Sequence, residues 1–429
     1  MIMAMKESGI EWVGLIPDTW SVIPNKYVMH KEKNLCEKWT GEDVMSLTMN
    51  GVIVRDLQNP TGKMPATFDG YQYIEDGDLL MCLFDIDVTP RCVGKVTHDG
   101  VTSPAYSNFK VHDNASRDYF YYYYLMVDNT KELLHLAKNL RHSFTEEQLG
   151  QLKVPMPPLS EQQAIADYLD ETCSKIDEII VEAKASIDGY KELKQSVIFE
   201  AVTKGLDKNV EMKNSEVEGM GFIPKKWSVV RFMKVNYVRA RLGWKGLKAE
   251  EYVDVGYPFL AAYHIVNGHL CWENLNCITK ERYDESPEIK LSIGDLVLVK
   301  DGAGIGKCAR IDDMPLGEAT VNSSLSVITP NKLLDYRYEY YYFMSPLFQN
   351  IIARLKNGMG VPHLTQESMK DIYLPLPSKK EQQAIADYLD HKVVELDSLI
   401  AEKESLINDL EAYKKSLIYE VVTGKRRVV

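Results

Sequence analysis

Two long stretches of the chain place apolar residues at alternating spacings of four and three, the pattern of a coiled-coil seam. The seam positions are Leu169, Ile176, Ile180, Ile187, Leu389, Leu396, Ile400 and Ile407. Proline precedes each stretch, and Gly205 or Gly424 follows it, as helix boundaries prefer. The pattern predicts long helices within residues 159–206 and 379–429. It leaves open whether they are only structural, packing on each other, or also set the distance between functional parts.

The segments before these helices show shorter periods and turn residues. Asp78–Leu83 and Asp295–Lys300 are apolar runs that predict buried strands. Tyr119–Met126 and Tyr338–Met344 are rich in aromatic residues and predict helices. These elements indicate globular units that combine helices and strands, of the α/β (mixed α+β) class.

The whole pattern occurs twice. EQQAIADYLD stands at Glu161–Asp170 and again at Glu381–Asp390, at an offset of 220. GLIPDTWSV (14–22) corresponds to GFIPKKWSV (221–229), which predicts that Trp20 and Trp227 are core residues. An internal repeat of this length predicts that the chain is a duplication of one structural unit. The expected domains are a first globular domain at 1–158, a helix at 159–206, a second globular domain at 207–378 and a helix at 379–429. Nearly identical helices combined with globular domains of differing sequence suit a protein that recognises two different targets at a fixed spacing.

Charge is unevenly distributed along the chain. The net charge is −12, yet residues 216–380 carry a small basic excess, and Gly219–Ala249 contains no acidic residue. The basic side chains of this acid-free segment are Lys225, Lys226, Arg231, Lys234, Arg239, Arg241, Lys245 and Lys248. Such residues neutralise phosphates, and arginine also reads guanine edges. A solvated basic face is the alternative interpretation.

Other features of the sequence argue against a nucleotide-binding loop, a metal site, a catalytic site and a membrane span. The loop DGAGIGK (301–307) lacks the first glycine and the Ser/Thr of a nucleotide-binding P-loop, which favours a turn between strands. His264, His269, Cys271 and Cys277 match no common zinc spacing, so no metal site is expected. No catalytic constellation stands out. The scattered, odd-numbered cysteines and the lack of ~20 consecutive apolar residues favour a cytoplasmic protein without a membrane span.

The openings ESGIEWVGLIPDTW and VEGMGFIPKKW, the Gly-Asp-Leu segments, the following Gly-Lys pairs and the EQQ helix starts resemble the specificity subunit of Type I restriction–modification enzymes. The resemblance covers essentially the whole chain. It implies two target-recognition domains separated by two long antiparallel helices in a pseudo-two-fold arrangement. Each domain would read half of a bipartite double-stranded DNA sequence. It further implies two methyltransferase subunits and restriction subunits as partners. S-adenosylmethionine and ATP are expected only on those partners.

On this interpretation the chain is not an enzyme. The alternatives are a coiled-coil assembly scaffold that reads no sequence and a DNA-modifying enzyme. The expected DNA-binding residues are Arg239, Arg241, Trp244, Lys245, Lys248, Tyr263, His264, Asn267, Lys300, Lys307, Arg310, Asn50, Arg91 and Lys95. The contacts of the first domain are the less defined, because LFDIDVTPRCVGK (83–95) lacks the glycine-rich loop of the second.

Overall fold

The structure is a computed structural model that describes residues 4–60, 62, 64–89, 91–137, 143–241, 247–357, 363–365 and 367–428. It divides into two compact units. Unit 1 comprises residues 1–184 and 404–429, and unit 2 comprises residues 185–403. Lys184 and Glu404 are 220 positions apart, the offset of the sequence repeat. Each unit therefore holds one globular head, the first half of one long helix and the second half of the other.

The described residues of the unit 1 head form short strands and short helices, and a long helix follows them. The strands are β1 (Met5–Glu7), β2 (Leu15–Pro17), β3 (Ser21–Pro24), β4 (Met29–Glu32), β5 (Val44–Thr48), β6 (Gly51–Val54), β7 (Gln72–Ile74), β8 (Leu79–Met81), β9 (Val93–Lys95), β10 (Gly100–Thr102), β11 (Ser107–Val111) and β12 (Lys153–Met156). The helices are α1 (Arg117–Asn129), α2 (Glu132–Leu136), α3 (Glu146–Gln151) and the long α4 (Leu159–Lys204).

The head of unit 2 repeats this plan with additional short elements. The strands are β13 (Met212–Asn214), β14 (Phe222–Pro224), β15 (Ser228–Arg231), β16 (Asn236–Ala240), β17 (Tyr252–Val253), β18 (Tyr257–Leu260), β19 (Ile265–Val266), β20 (His269–Leu270), β21 (Cys277–Ile278), β22 (Leu296–Val299), β23 (Cys308–Arg310), β24 (Thr320–Val321), β25 (Leu325–Pro330) and β26 (Tyr373–Leu376). The helices are α5 (Phe232–Val235), α6 (Lys280–Asp284), α7 (Tyr336–Met344), α8 (Pro346–Asn357) and the long α9 (Lys379–Val422).

Each head contains a four-stranded antiparallel sheet, and the order of its strands is the same in both heads. In unit 1 the order is β4-β11-β8-β9, and in unit 2 it is β16-β25-β22-β23. The registers also agree, since Phe109 of β11 lies between Lys31 and Leu79, as Ile328 of β25 lies between Val238 and Leu296. A second sheet in each head contains one parallel pair, β5 with β10 and β18 with β24. The predicted mixed α/β repeat is thus confirmed at the level of strand pairing.

Several predictions of individual elements are confirmed. The runs in Asp78–Leu83 and Asp295–Lys300 form β8 and β22, whose residues are all buried. The aromatic segments form α1 and α7, and both predicted long helices are present. Trp20 and Trp227 are core residues, 1% and 2% exposed. DGAGIGK is a turn between β22 and β23.

In each unit the two long-helix segments run antiparallel. Trp20 contacts the start of α4, because its indole N–H donates to Glu161. It also lies at the end of α9, because its ring is 3.0 Å from the position that a Cβ atom on Gly424 would occupy. Further along the same two helices, Lys414 Nζ donates to Asp177 Oδ1 at 2.7 Å. Contacts at increasing positions in α4 thus meet decreasing positions in α9.

Unit 2 repeats this arrangement with the helix roles exchanged. Lys194 Nζ donates to both carboxylate oxygens of Asp397 at 2.7 Å. Lys194 and Lys414 are equivalent in the repeat, and so are their partners. A polar seam residue fixes helix register, and these ion pairs supply the partner that such a residue needs. The partners Asp177 and Asp397 did not stand out in the sequence.

The predicted seam residues are inside. Seven of the eight are buried, at 9% exposure or less, and Ile400 is half-buried. All seven cysteines are free thiols. Within the described residues, every helix is too short or too polar to cross a membrane.

Candidate nucleic-acid interface

The core tryptophan of each head is bonded to the first glutamate of the repeated helix motif. Trp20 Nε1 donates to Glu161 Oε2 at 3.0 Å, and Trp227 Nε1 donates to Glu381 Oε1 at 3.0 Å. A buried indole N–H requires an acceptor, and the helix supplies it. This contact fixes the start of each long helix against the core of its head.

The glutamine that follows fixes the aromatic-rich helix of the head, α1 in unit 1 and α7 in unit 2. Gln162 Oε1 accepts the backbone N–H of Ser116, the residue before α1, at 2.8 Å. Gln382 Oε1 accepts that of Asp335, the residue before α7, at 2.7 Å. Each glutamine also donates its amide to the backbone carbonyl five residues earlier. Both glutamines are fully buried, so each satisfies backbone groups at a helix boundary that no water reaches.

The aspartate that ends the motif completes the attachment. Tyr122 of α1 donates its hydroxyl to Asp170 Oδ1 at 2.7 Å, and Tyr341 of α7 donates to Asp390 Oδ1 at 2.7 Å. Three side chains of EQQAIADYLD therefore hold the head in the same way in both units. The ten identical residues gave this signal in the sequence, although the partners were not predictable.

Each head also contacts the end of the other long helix within its unit. Tyr119 donates its hydroxyl to the carbonyl of Val422 at 2.9 Å, and Tyr338 donates to that of Val202 at 3.0 Å. The two carbonyls are equivalent in the repeat. We call these contacts, with those of the motif, the joint of each unit. The joints are alike, so the units differ in what each head presents beyond them.

The strand that carries Arg239 and the strand that precedes DGAGIGK end at one edge of the main sheet of unit 2. Strands β16 and β22 run in the same direction on either side of β25, so both end at this edge. DGAGIGK follows β22, and it is held at both ends. Leu364 N donates to Lys300 O at 2.9 Å, and Gln349 Nε2 donates to Gly306 O at 3.0 Å. We call this edge the strand-end edge.

An ion cluster lies at the strand-end edge of unit 2. Lys300 Nζ is 2.6 Å from Asp301 Oδ2, and His363 is bonded to the other carboxylate oxygen. Burial acts to raise the pKa of Asp301, but the hydrogen bonds from Lys300 and His363 outweigh it and hold that pKa below its ordinary value. Lys300, a predicted DNA contact, is therefore engaged within the unit.

Unit 1 has the same backbone frame at its strand-end edge with different side chains. Phe144 N donates to Leu83 O at 2.7 Å, the equivalent of the bond between Leu364 and Lys300. Phe84 stands where unit 2 has Asp301. The sequence between Met81 and Val93 is longer than DGAGIGK and lacks its glycines. The two heads thus present different chemistry from a common frame.

The structure contradicts the expectation that Arg239 is an accessible base-reading side chain. Arg239 Nη2 pairs with Asp295 Oδ1 at 2.9 Å, and Nη1 donates to the carbonyls of Glu288 and Lys290 at 3.0 and 3.3 Å. Its side chain is 14% exposed and that of Asp295 is 2% exposed. The segment 286–290 covers this face of β16, so the guanidinium neutralises a buried carboxylate.

The same correction applies to Arg241. It is 5% exposed, and its Nη1 lies 3.3 Å from Ser286 Oγ. Burial, together with the charge of Arg282, lowers the pKa of Arg241. A side chain in this position does not reach a DNA groove.

Arg310 and Lys95, which were both expected to contact DNA, are engaged in ion pairs within their own units. Arg310 pairs with Asp390 and Asp312, each at 2.7 Å. Burial opposes these pairs, yet they raise the pKa of Arg310. Arg310 therefore belongs to the joint of unit 2, since Asp390 lies in the helix motif. Lys95 pairs with Asp118 of α1 at 2.7 Å.

His264 is likewise a structural residue. It is 4% exposed, and its Nδ1 accepts the backbone N–H of Ala261 at 2.9 Å. Burial lowers its pKa. The neutral imidazole closes a short helical turn, so the ring is not presented at the surface for the base contact expected of it.

Other predicted contacts remain accessible. The exposed ones are Asn50, Lys248, Tyr263, Asn267 and Lys307, while Arg91 is half-buried. Asn267 and Gly268 both have positive φ, 51° and 83°, which makes the β19–β20 hairpin turn type I′. Trp244 and Lys245 lie outside the described residues.

Comparisons with known proteins agree with this architecture. The family model described as Type I restriction modification DNA specificity domain matches residues 91–187 and 224–411, about two thirds of the chain. The Type I restriction enzyme MjaVIII specificity subunit of Methanocaldococcus jannaschii is 27% identical over 280 residues. That match covers 65% of this chain and 63% of the relative, so it spans less than two thirds of the relative's length.

Two solved structures share the fold. A chain from a study of complex assembly and conformational transition of the type I R-M system is similar with a TM-score of 0.72 and 13% identity, covering 96% of this chain and 99% of that one. The HsdS subunit from Thermoanaerobacter tengcongensis is similar with a TM-score of 0.53 and 14% identity, covering 96% and 98%.

Proposed function

Because the chain belongs to the family of the Type I restriction modification DNA specificity domain, we propose that it is the non-catalytic DNA-reading subunit of a Type I restriction–modification enzyme. Each head reads one half of a bipartite target. The observation that carries this proposal is the pairing of two equivalent joints with two different strand-end edges. A protein that must present two dissimilar reading surfaces in one fixed way needs this combination.

The long helices are proposed to bind the partners. Two methyltransferase subunits, and through them restriction subunits, are directed to the site that the heads select. S-adenosylmethionine and ATP bind to those partners. The exposed apolar side chains along the helices, Val181, Leu193, Val394 and Tyr413, support a further protein contact there.

The DNA contacts of this chain are proposed to come from its accessible side chains. In unit 2 these are Lys248 and Lys307 as phosphate contacts, with Tyr263 and Asn267 reaching bases. Lysine acts as a point charge and serves phosphates, whereas an exposed amide can pair with adenine. The net charge of −12 indicates that partner subunits supply much of the remaining phosphate neutralisation.

Methylome sequencing of the source cell, with and without the gene for this chain, tests the proposal. We expect deletion to abolish methylation at one gapped, two-part motif and complementation to restore it. Complementation with Glu161→Ala/Glu381→Ala, which removes the tryptophan acceptors of both joints, should restore less, provided that the variant folds. Loss of a continuous motif would contradict two-headed reading. Unchanged methylation would favour a scaffold that reads no sequence.

A further inference from the structure

Two histidines of unit 1, His30 exposed and His112 half-buried, lie in direct contact away from the strand-end edge and the joint. His30 belongs to β4, and His112 follows β11. His112 Nε2 is 3.0 Å from His30 Nδ1, and the two rings are inclined by 24°. Neither histidine takes part in the proposed reading of DNA.

The backbone brings these side chains together on one face. His112 N donates to Val28 O at 2.8 Å, which extends the pairing of β11 with β4 by one step. His30 and His112 are then diagonal neighbours across the two strands. His112 Nδ1 lies 3.3 Å from the carbonyl of Tyr27. A carbonyl is only an acceptor, so Nδ1 carries the proton and Nε2 keeps its lone pair facing His30.

The geometry points to a binding site for one divalent late-transition-metal ion, held by Nδ1 of His30 and Nε2 of His112. Metal–imidazole bonds of ~2.0–2.1 Å at angles of about 90–110° place two nitrogens ~2.9–3.4 Å apart, which the observed 3.0 Å matches. Metal-ligating histidines typically donate their other N–H to a carbonyl or carboxylate, as His112 does here. His30 is exposed and His112 is half-buried. The His30 ring can therefore turn its lone pair toward an ion held by His112 Nε2, and water completes the coordination of that ion.

The surrounding charges permit this ion. Lys110 is the cross-strand neighbour of His30, and its ammonium is held by Glu32 at 3.1 Å and Glu75 at 2.8 Å. These carboxylates compensate the lysine charge beside the site. A bound ion would tie the edge strand β4 to the turn that leads into α1.

Unit 2 provides a natural control because it has the same backbone without the imidazoles. Tyr237 and Asn331 occupy the equivalent positions. Asn331 N donates to Val235 O at 2.8 Å, and its side chain donates to Lys234 O at 3.1 Å, as His112 does to the equivalent carbonyl. The same frame therefore supports two ligands in one unit and none in the other.

Titration calorimetry of the full, untagged chain with Ni²⁺ tests the site. Ni²⁺ suits imidazole, whereas Zn²⁺ and copper are drawn more strongly to the partly exposed thiols of Cys271 and Cys277. We expect one ion per chain. His30→Ala and His112→Ala should each weaken Ni²⁺ binding at least about tenfold. The control is His98→Ala, which removes another exposed histidine of unit 1 and should leave Ni²⁺ binding unchanged.

A gain-of-binding variant makes the test independent of damage to unit 1. Tyr237→His/Asn331→His should raise the stoichiometry to two ions per chain. Circular dichroism before titration confirms that each variant is folded. Wild-type protein without a Ni²⁺ site, or equal binding by His30→Ala and wild type, would show that the pair is only a hydrogen bond. A folded double variant that binds no second ion would contradict the claim that this frame creates the site.

Discussion

Replacing Arg239 with alanine is expected to destabilise unit 2 by about 3–5 kcal/mol, the typical cost of leaving one member of a buried ion pair without its partner. Asp295 would keep a charge at 2% exposure with its guanidinium partner gone. It cannot turn toward water freely, because Asp295 Oδ2 also accepts the backbone N–H of Ser292 at 2.9 Å and shapes the turn before β22. Urea unfolding of the full chain, followed by hydrogen exchange in unit 2 peptides, measures the loss.

Two further variants separate this explanation from others. Asp295→Asn keeps the acceptor for Ser292 and removes the charge, so the double variant with Arg239→Ala should be more stable than Arg239→Ala alone. Arg231→Ala, an exposed arginine of the same acid-free segment, should change stability by no more than about 0.5 kcal/mol. Unchanged stability in Arg239→Ala, together with relaxed discrimination at one DNA position, would show that Arg239 reads a base after all.

Glu339→Gln is expected to stabilise unit 2 at pH 7.5 by an amount on the order of 4 kcal/mol, because this pH lies three units above the ordinary pKa of 4.5 and each unit corresponds to ~1.4 kcal/mol. Glu339 lies in α7, and its complete burial raises the pKa of its carboxyl to about 8. Asn236 Nδ2 donates to Oε1 of Glu339. The other oxygens of this pair, Asn236 Oδ1 and Glu339 Oε2, are buried and have no partner among the residues that the structure describes. A proton on Glu339 Oε2 would allow a hydrogen bond between these two atoms. The side-chain amide of glutamine could donate the same hydrogen bond.

The direction of the pH dependence follows from the raised pKa. Between the ordinary pKa of 4.5 and about 8, the folded state holds a proton that the unfolded state has released. The contribution of Glu339 to stability is therefore complete below about pH 4.5 and is lost as the pH rises toward 8. Glutamine does not titrate, so the gap between variant and wild type should widen from pH 5 to pH 8.

Urea unfolding across that range measures the effect. Glu273→Gln, at an exposed position of the same unit, is the matched control and should follow the wild type at every pH. A Glu339→Gln variant that is less stable than wild type at pH 7.5 would mean that the carboxylate is ionised and stabilised in the folded protein.

The sequence predicted those parts of the fold that depend on local patterns. The seam spacing around Ile176 and Leu396 predicted the long helices, since a helix buries one face at that period wherever it packs. The apolar run at Leu296–Val299 predicted a buried strand for the same reason. The repeat predicted that both units share one plan, because equal residues at equal spacing meet equal neighbours.

The candidate site was less predictable because accessibility depends on tertiary neighbours. Tyr237 and Arg239 lie on one face of β16, and Arg241 follows the strand at the next alternate position. A count of charges along the sequence treats this face as open to solvent. The segment 286–290 covers that face at the two arginines, while Tyr237 remains 66% exposed. The roles of Gln162 and Asp170 in the joint were hidden too, since nothing local identifies the backbone N–H or hydroxyl that each one meets.

Exchanging one head is the most direct test of the claim that two different heads read DNA from equivalent joints. Residues 207–378 would be replaced by the second head of a relative whose half-site is known, leaving α4, α9 and the first head unchanged. Methylome sequencing of a cell that carries the hybrid measures the modified motif. We expect one half of the motif to change to the donor's half-site, while the other half and the gap stay as they were. A folded, active hybrid with both halves altered, or with neither altered, would contradict the claim.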